Sequence, residues 1–244
     1  MLKTDLDAVK RTAKYLLYTD INLTAFSPIV VQHPFTSSGF AAVKINGKFE
    51  LVDITSFGEY ADQWRKDVSQ RIDEARNAFQ IYMMTNKPYG MTFLKFAAPH
   101  LSKEDYSAIL SDAWIRSENP NDDPNLPQSK LVEMFATADK SYLMTADEKQ
   151  IFDELPTVVT VYRGVTSYNA ENIKALSWTL DKDVAEWFSM RFEEDGTVYE
   201  AQIHKNHVLA YFGGRNESEV IVDPKYLFDI TAVEDQNESF ELTM

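Results

Sequence analysis

Three polar stations follow one another in the C-terminal part of the chain, each at the edge of a stretch with β-strand character. Val158-Val159-Thr160-Val161-Tyr162 ends in Arg163-Gly164. Leu176 leads into Ser177-Trp178-Thr179. Gly213-Gly214-Arg215-Asn216 precedes Glu217-Ser218-Glu219, which opens the apolar run Val220-Ile221-Val222. An arginine at a strand end presents a planar, permanently charged fork that suits phosphate oxygens. On a strand, side chains alternate with period two, so positions 217 and 219 are expected on one face, where both carboxylates can line a cleft. Singly, a strand-end arginine is commonly a surface ion-pair partner and a Glu-x-Glu a solvated strand face. Their occurrence together, in this order and with Ser177 between them, is the more specific pattern.

That order resembles the Arg-Ser-Glu class of mono-ADP-ribosyltransferases, a group of bacterial exotoxins, phage-encoded transferases and arginine-specific ectoenzymes. The resemblance rests on Tyr162-Arg163-Gly164, Ser177-Trp178-Thr179 and Glu217-Ser218-Glu219, and leaves the first 90 residues outside it. It implies an α+β fold, with a helical N-terminal part followed by a mostly antiparallel, split β core of ADP-ribosyltransferase type. It also implies NAD as co-substrate. Transfer of ADP-ribose breaks the bond between a cationic nicotinamide and its ribose, and a carboxylate beside the sugar stabilises the positive charge that develops. The resemblance gives this role to Glu219, with Ser177 orienting it and Arg163 holding the diphosphate. Glu217 is then the residue that prepares an acceptor guanidinium, a poor nucleophile while protonated, so arginine on a protein is the expected acceptor.

By the same resemblance Gly164, Ser177, Trp178, Thr179, Trp187 and Phe188 join Arg163 in the NAD site. Nicotinamide and adenine favour flat apolar walls, although Trp187 and Phe188 also have the spacing of a helix core face. Tyr211, Phe212 and Arg215 belong to the stretch before Glu217 expected to meet the target, where two glycines allow movement. Two departures are visible. The middle triplet reads Ser-Trp-Thr in place of Ser-Thr-Ser, and Gly214 stands where family members often carry an aromatic, with Phe212 as a stand-in.

The whole chain frames these residues. Its 244 residues, 44% hydrophobic, are enough for a real core in one large or two small domains. It has no cysteine, so neither disulfides nor cysteine-ligated zinc enter. His204 and His207 lie near Glu200, but on a strand they face opposite ways, and His33 and His100 are distant; no metal is expected. No segment has the length of a signal peptide core or a membrane span, so a cytoplasmic protein of a bacterial or host cell, without a membrane partner, is expected. The net charge of -14 is uneven: residues 1–90 hold 11 Lys+Arg against 10 Asp+Glu, and residues 91–244 hold 13 against 28. An acidic catalytic half is a poor surface for phosphate backbones and favours a basic protein partner, unless the charge merely confers solubility.

Residues 4–18 have helical spacing, and extended segments follow at 28–32 and 39–45. Asn46-Gly47 between alternating runs predicts a tight hairpin. Apolar positions from Phe57 to Met84 predict one long amphipathic helix. Asn86-Lys87-Pro88-Tyr89-Gly90 then marks the expected boundary between a hairpin-plus-helix module, residues 1–90, for packing or target docking, and a catalytic domain, residues 91–244. Helices are predicted over 103–116 capped by Ser102, over 130–143 capped by Ser129, and from a Thr145-x-x-Glu148 capping box to Pro156. Asp122 and Asp123 read as turn residues of the loop between the first two. Strands are expected at 158–162, 198–203, 208–211, 219–222 and 228–233, with one helix at 181–191. No Gly-rich dinucleotide fingerprint is present.

Four readings of function stay open from sequence. The leading one is a protein-modifying transferase acting as a toxin, a phage effector or an antiphage or toxin-antitoxin component, with an antitoxin or immunity partner. The alternatives are ADP-ribosylation of a nucleic acid, using Lys10, Arg11 and Lys14 for phosphate contacts, plain NAD hydrolysis, and a non-catalytic acidic binding protein on the same scaffold.

Overall fold

The computed structural model describes residues 3–118, 121, 125–169, 172–191 and 196–233. Asp122 and Asp123 lie outside them. The chain divides into two compact units, residues 1–120 and 121–244.

The first unit contains α1 (Leu6–Leu17), the short strand pair β1 (Asn22–Leu23) and β2 (Val31–Gln32), the hairpin β3 (Phe40–Ile45) and β4 (Lys48–Asp53), and four further helices. These are α2 (Gly58–Glu74), α3 (Ala78–Tyr82), α4 (Gly90–Ala97) and α5 (Lys103–Arg116). The hairpin forms at Asn46-Gly47, where both residues have positive φ (49° and 83°), the geometry a two-residue turn with right-handed strand twist demands. Ser102 caps α5 by accepting from the Asp105 amide.

Two expectations fail here for local reasons. The predicted long helix is broken between α2 and α3, because Ala75 and Asn77 are extended and the Asn77 side chain caps the next helix by accepting from the Gln80 amide. The Gln80 side chain in return accepts from the Arg76 amide, so the break satisfies its own backbone groups while the apolar spacing runs on through it. The expected boundary at residues 86–90 falls inside this unit. A 3-10 turn over Lys87–Tyr89, with Pro88 at its second position, leads straight into α4, and a Cβ on Gly90 would come within 3.1 Å of the Tyr82 ring. Core residues Ile72, Ile81, Phe93, Ile109 and Trp114 are drawn from helices on both sides of that turn.

The second unit opens with three helices, α6 (Gln128–Thr137), α7 (Lys140–Leu143) and α8 (Ala146–Glu154). A single helix capped by Ser129 was expected for the first two. Instead α6 begins after Pro127, Ala138 is extended, and Asp139 caps α7. The capping box of Thr145 and Glu148 is formed in full at the start of α8. There follow β5 (Val158–Val165), β6 (Ser177–Thr179), α9 (Lys182–Ser189), β7 (Thr197–His204), β8 (Val208–Phe212), β9 (Glu219–Val222) and β10 (Phe228–Ala232).

The six strands form a sheet in the order β10-β7-β5-β6-β9-β8, with every neighbouring pair antiparallel, so the α+β class is met with helices ahead of the sheet. One registered pair, Tyr162↔Thr179, joins the half β10-β7-β5 to the half β6-β9-β8. Helix α9 lies against the first half at very short range. A Cβ on Gly164 would sit 2.2 Å from the Ala185 carbonyl oxygen and 2.5 Å from the Ser189 nitrogen, so only glycine permits this approach.

Candidate active site

Strand order brings the three stations onto three adjacent strands, β5, β6 and β9, about 4.8 Å apart from one to the next. Ser177 pairs with Ile221 and Thr179 with Glu219, so Ser177 and Glu219 are diagonal neighbours on one face of the β6–β9 ladder. The Ser177 hydroxyl donates to Glu219 Oε1 at 2.5 Å. Glu219 is 5% exposed, and this bond fixes one carboxylate oxygen. From β5, the Arg163 guanidinium donates to the Ser177 carbonyl at 2.6 Å, which ties it to the strand end that carries the serine.

Glu217 reaches the same place by another route than the one expected. Strand β9 starts only at Glu219, and Ser218 has a φ of 44°, a left-handed conformation unusual for a side-chain-bearing residue. Two bonds, one from β6 and one from the residue just after it, hold this kink. The Thr179 hydroxyl donates to the Glu217 carbonyl at 2.6 Å, and the Leu180 amide donates to the Ser218 carbonyl at 3.0 Å. Strand alternation therefore does not set the relation of the two acids; a turn pinned by Thr179 does. Their convergence is seen at Arg215, whose Nη2 lies 2.7 Å from Glu217 Oε2 and 3.6 Å from Glu219 Oε2.

The remaining expected residues divide. Trp178 is 2% exposed, with its indole N–H donating to the Ala175 carbonyl at 3.0 Å, so it is a core residue and not a wall of an open cleft. Alternation along β6 turns it away from Ser177 and Thr179. Gly164 serves the contact with α9. Trp187 is 57% exposed and packs edge-on against half-buried Phe188, with the Arg191 guanidinium 5.1 Å from the indole centre. The buried face of α9 is instead Ala185 and Ser189. Tyr211 and Phe212 are buried in β8, where Phe212 packs against Phe135, and the loop before Glu217 begins only at Gly213. Of the stretch expected to meet a target, Arg215 alone among the three named side chains is exposed.

Two supporting residues escaped the sequence reading. Asn121 accepts from the amides of both Leu176 and Ser177, at 3.1 and 3.2 Å, and so fixes the start of β6. Glu148, besides its place in the capping box, accepts from the Gly213 amide at 2.8 Å and anchors the start of the Gly213–Ser218 loop to α8. The capping signature was legible; the second partner, 65 residues on, was not.

His204 and His207 pack against Phe228 and Tyr226, respectively. An open depression of about 710 Å³, lined by Lys140, Phe152, Thr157 and His204 to Asn206, lies at the opposite end of the β5–β7 ladder from Arg163 and contains none of the three stations. Among the described residues no helix is long and apolar enough to cross a membrane. No protein-family model, curated protein or solved structure matches the chain.

Proposed function

We propose that the second unit is an NAD-dependent mono-ADP-ribosyltransferase that modifies arginine on a protein target. The observation that carries this reading is the pair of acids at one guanidinium: Glu219, buried and oriented by Ser177, and Glu217, half-buried beside it. The two three-stranded halves joined at one pair, Tyr162↔Thr179, support a split transferase core.

The residues present fit the dinucleotide. Arg163, tied to β6, offers a fixed cation for a diphosphate, and a carboxylate of low exposure suits a sugar next to a cationic ring. NAD supplies a ribose whose bond to nicotinamide is activated by the positive ring. Glu219 stabilises charge developing on that ribose through Oε2, the oxygen that does not accept from Ser177. Glu217 orients the acceptor nitrogen and takes its proton. Trp187 is an exposed flat surface on the helix packed beside Gly164, available for stacking.

A protein acceptor is favoured over a nucleic acid by two contacts in the first unit. Lys14 pairs with the Asp73 carboxylate and Lys10 donates to the Asp73 carbonyl, so two of the three cations put forward for phosphate contact are already engaged with Asp73.

The test is incubation of the full chain with labelled NAD in a bacterial lysate, beside Glu219→Gln and Glu217→Ala. Label removed by protease and untouched by nucleases is expected for the native chain. Glu219→Gln should lower nicotinamide release by about a thousandfold, the scale of losing a main electrostatic contact to the transition state. Glu217→Ala should abolish transfer and retain slow release. Full release in Glu219→Gln overturns the reading, and label lost only to nuclease replaces the protein acceptor with a nucleic acid.

A further inference from the structure

We infer that Arg215 is an internal occupant of the acceptor subsite, a guanidinium in cis that an incoming arginine must displace. The inference rests on the transferase reading above and adds a determinant of its acceptor affinity. Arg215 sits in the turn that follows β8, closed by the Asn216 amide donating to the Gly213 carbonyl at 3.0 Å. Asn216 and Ser218, on either side of Glu217, both have positive φ (57° and 44°), and this double reversal folds the arginine back over the two acids that follow it. One nitrogen, Nη2, is shared by Glu217 and Glu219 at 2.7 and 3.6 Å. An arginine acceptor offers the same group to Glu217, the acid that holds Arg215 at the shorter distance, so the two guanidinium ions exclude one another there.

The contact is built to yield. The Arg215 side chain is 41% exposed and that of Glu217 25%, and ion pairs of such exposure are weak. Gly214, before it, has no heavy atom within 4 Å of a built Cβ, so neighbouring groups do not wall the turn at that point. A tethered ligand nevertheless acts at an effective concentration near the millimolar range. The apparent affinity for an external guanidinium is lowered by the fraction of molecules in which the subsite is already filled. Targets that bring further contacts overcome this competition, whereas isolated guanidinium compounds do so poorly. Arg215 therefore raises the selectivity for a docked protein arginine over free small guanidines.

The experiment uses agmatine as the guanidinium probe on the full chain, with Arg215→Ala and Arg215→Lys. Binding is measured without NAD by calorimetric or NMR titration, and the KM for agmatine and for NAD is measured in the transfer reaction. Arg215→Ala should bind agmatine about fivefold more tightly than the native chain, with a matching fall in the KM for agmatine and little change in the KM for NAD. Arg215→Lys, which keeps the charge without the planar fork, should fall between the two. In a background of Glu217→Ala the tightening should disappear, since the carboxylate that both guanidinium ions use is then gone. Agmatine binding unchanged or weakened in Arg215→Ala overturns the inference, because Arg215 would then be a recognition or structural group. Tighter agmatine binding in a protein that releases no nicotinamide from NAD retains the internal ligand and overturns the transferase reading instead.

Discussion

Glu219 has two carboxylate oxygens with different occupations, and in the proposed transferase the difference decides which one acts. Oε1 accepts from the Ser177 hydroxyl at 2.5 Å, and Oε2 lies toward Arg215 at 3.6 Å. Ser177 itself is held from two sides, its carbonyl by Arg163 and its amide by Asn121. In the proposed transferase the serine is thus a positioning residue that aims Oε2 at the ribose, and its removal frees the carboxylate to rotate. Ser177→Ala is expected to lower kcat for nicotinamide release by roughly 10- to 100-fold, the cost of a small misplacement at a reacting centre, with a smaller change in the KM for NAD. Ser177→Thr should recover part of the loss, because it keeps the hydroxyl. A kcat within twofold of native in Ser177→Ala would show that Arg163 and the kink at Ser218 hold Glu219 by themselves. Among these residues the chemical types were legible in sequence, since an arginine, a serine and a pair of acids at strand edges carry their own signal. The supporting roles of Asn121 and Thr179 were not, because each acts on backbone groups 55 or 38 residues away and no local pattern marks such a partner.

At the scale of elements, what could be read in advance is what is decided within one turn of chain. The Asn46-Gly47 hairpin, the Ser102 cap and the Thr145–Glu148 capping box all formed as expected, each set by a turn or cap of four residues. Periodicity misled where it continued across a break: the apolar spacing from Trp64 to Tyr82 survives the extended residues at 75 and 77 and so conceals them. It misled again in Glu-x-Glu, where a left-handed Ser218 replaces the regular strand and yet keeps the acids together. Trp178, Tyr211 and Phe212 were expected at the site from the resemblance, while the sheet buries them. The packing of α9 on β5 was not legible either, although it turns on one residue. A methyl group at Gly164 meets backbone atoms of Ala185 and Ser189, which cannot swing aside as a flexible side chain would. Gly164→Ala should therefore destabilise the second unit by about 3 kcal/mol, the upper range for overpacking, through displacement of α9. Urea denaturation followed by tryptophan fluorescence reads this, since Trp187 is on the displaced helix. An unchanged midpoint would mean that the helix tolerates a shift without loss of packing.

For the whole molecule, the charge asymmetry read from sequence falls on two compact units of different make, one mostly helical with a hairpin and one built on the antiparallel sheet. Their responses to acid are expected to differ, and the reason lies in His33 of the first unit. Its ring is wholly buried, with the Trp64 ring edge-on at 5.2 Å. The Phe35 amide donates to Nδ1 at 3.1 Å, so the proton of the neutral ring is on Nε2, facing the Leu17 carbonyl at 3.2 Å. Protonation would set an N–H at Nδ1 against that amide. Burial pushes the His33 pKa down from 6.5 to about 4, with the nearby Arg65 charge acting in the same sense and the Leu17 carbonyl opposing it. Between these values the unfolded chain binds a proton that the folded chain refuses, so stability rises with pH through this window and falls as pH is lowered through it. From pH 7 to pH 5 the first unit should lose about 2 kcal/mol from this residue alone, with the loss levelling off below pH 4. Carboxylates elsewhere add their own acid dependence, so the comparison is with His33→Gln, which keeps a donor and an acceptor but does not titrate. The native chain should show the steeper fall in denaturation midpoint from pH 7 to pH 5, while the variant, less stable at pH 7, closes the gap on acidification. Parallel profiles for the two proteins would mean that His33 takes up its proton as readily in the folded chain as in the unfolded one, and that the acid sensitivity of the first unit has another origin.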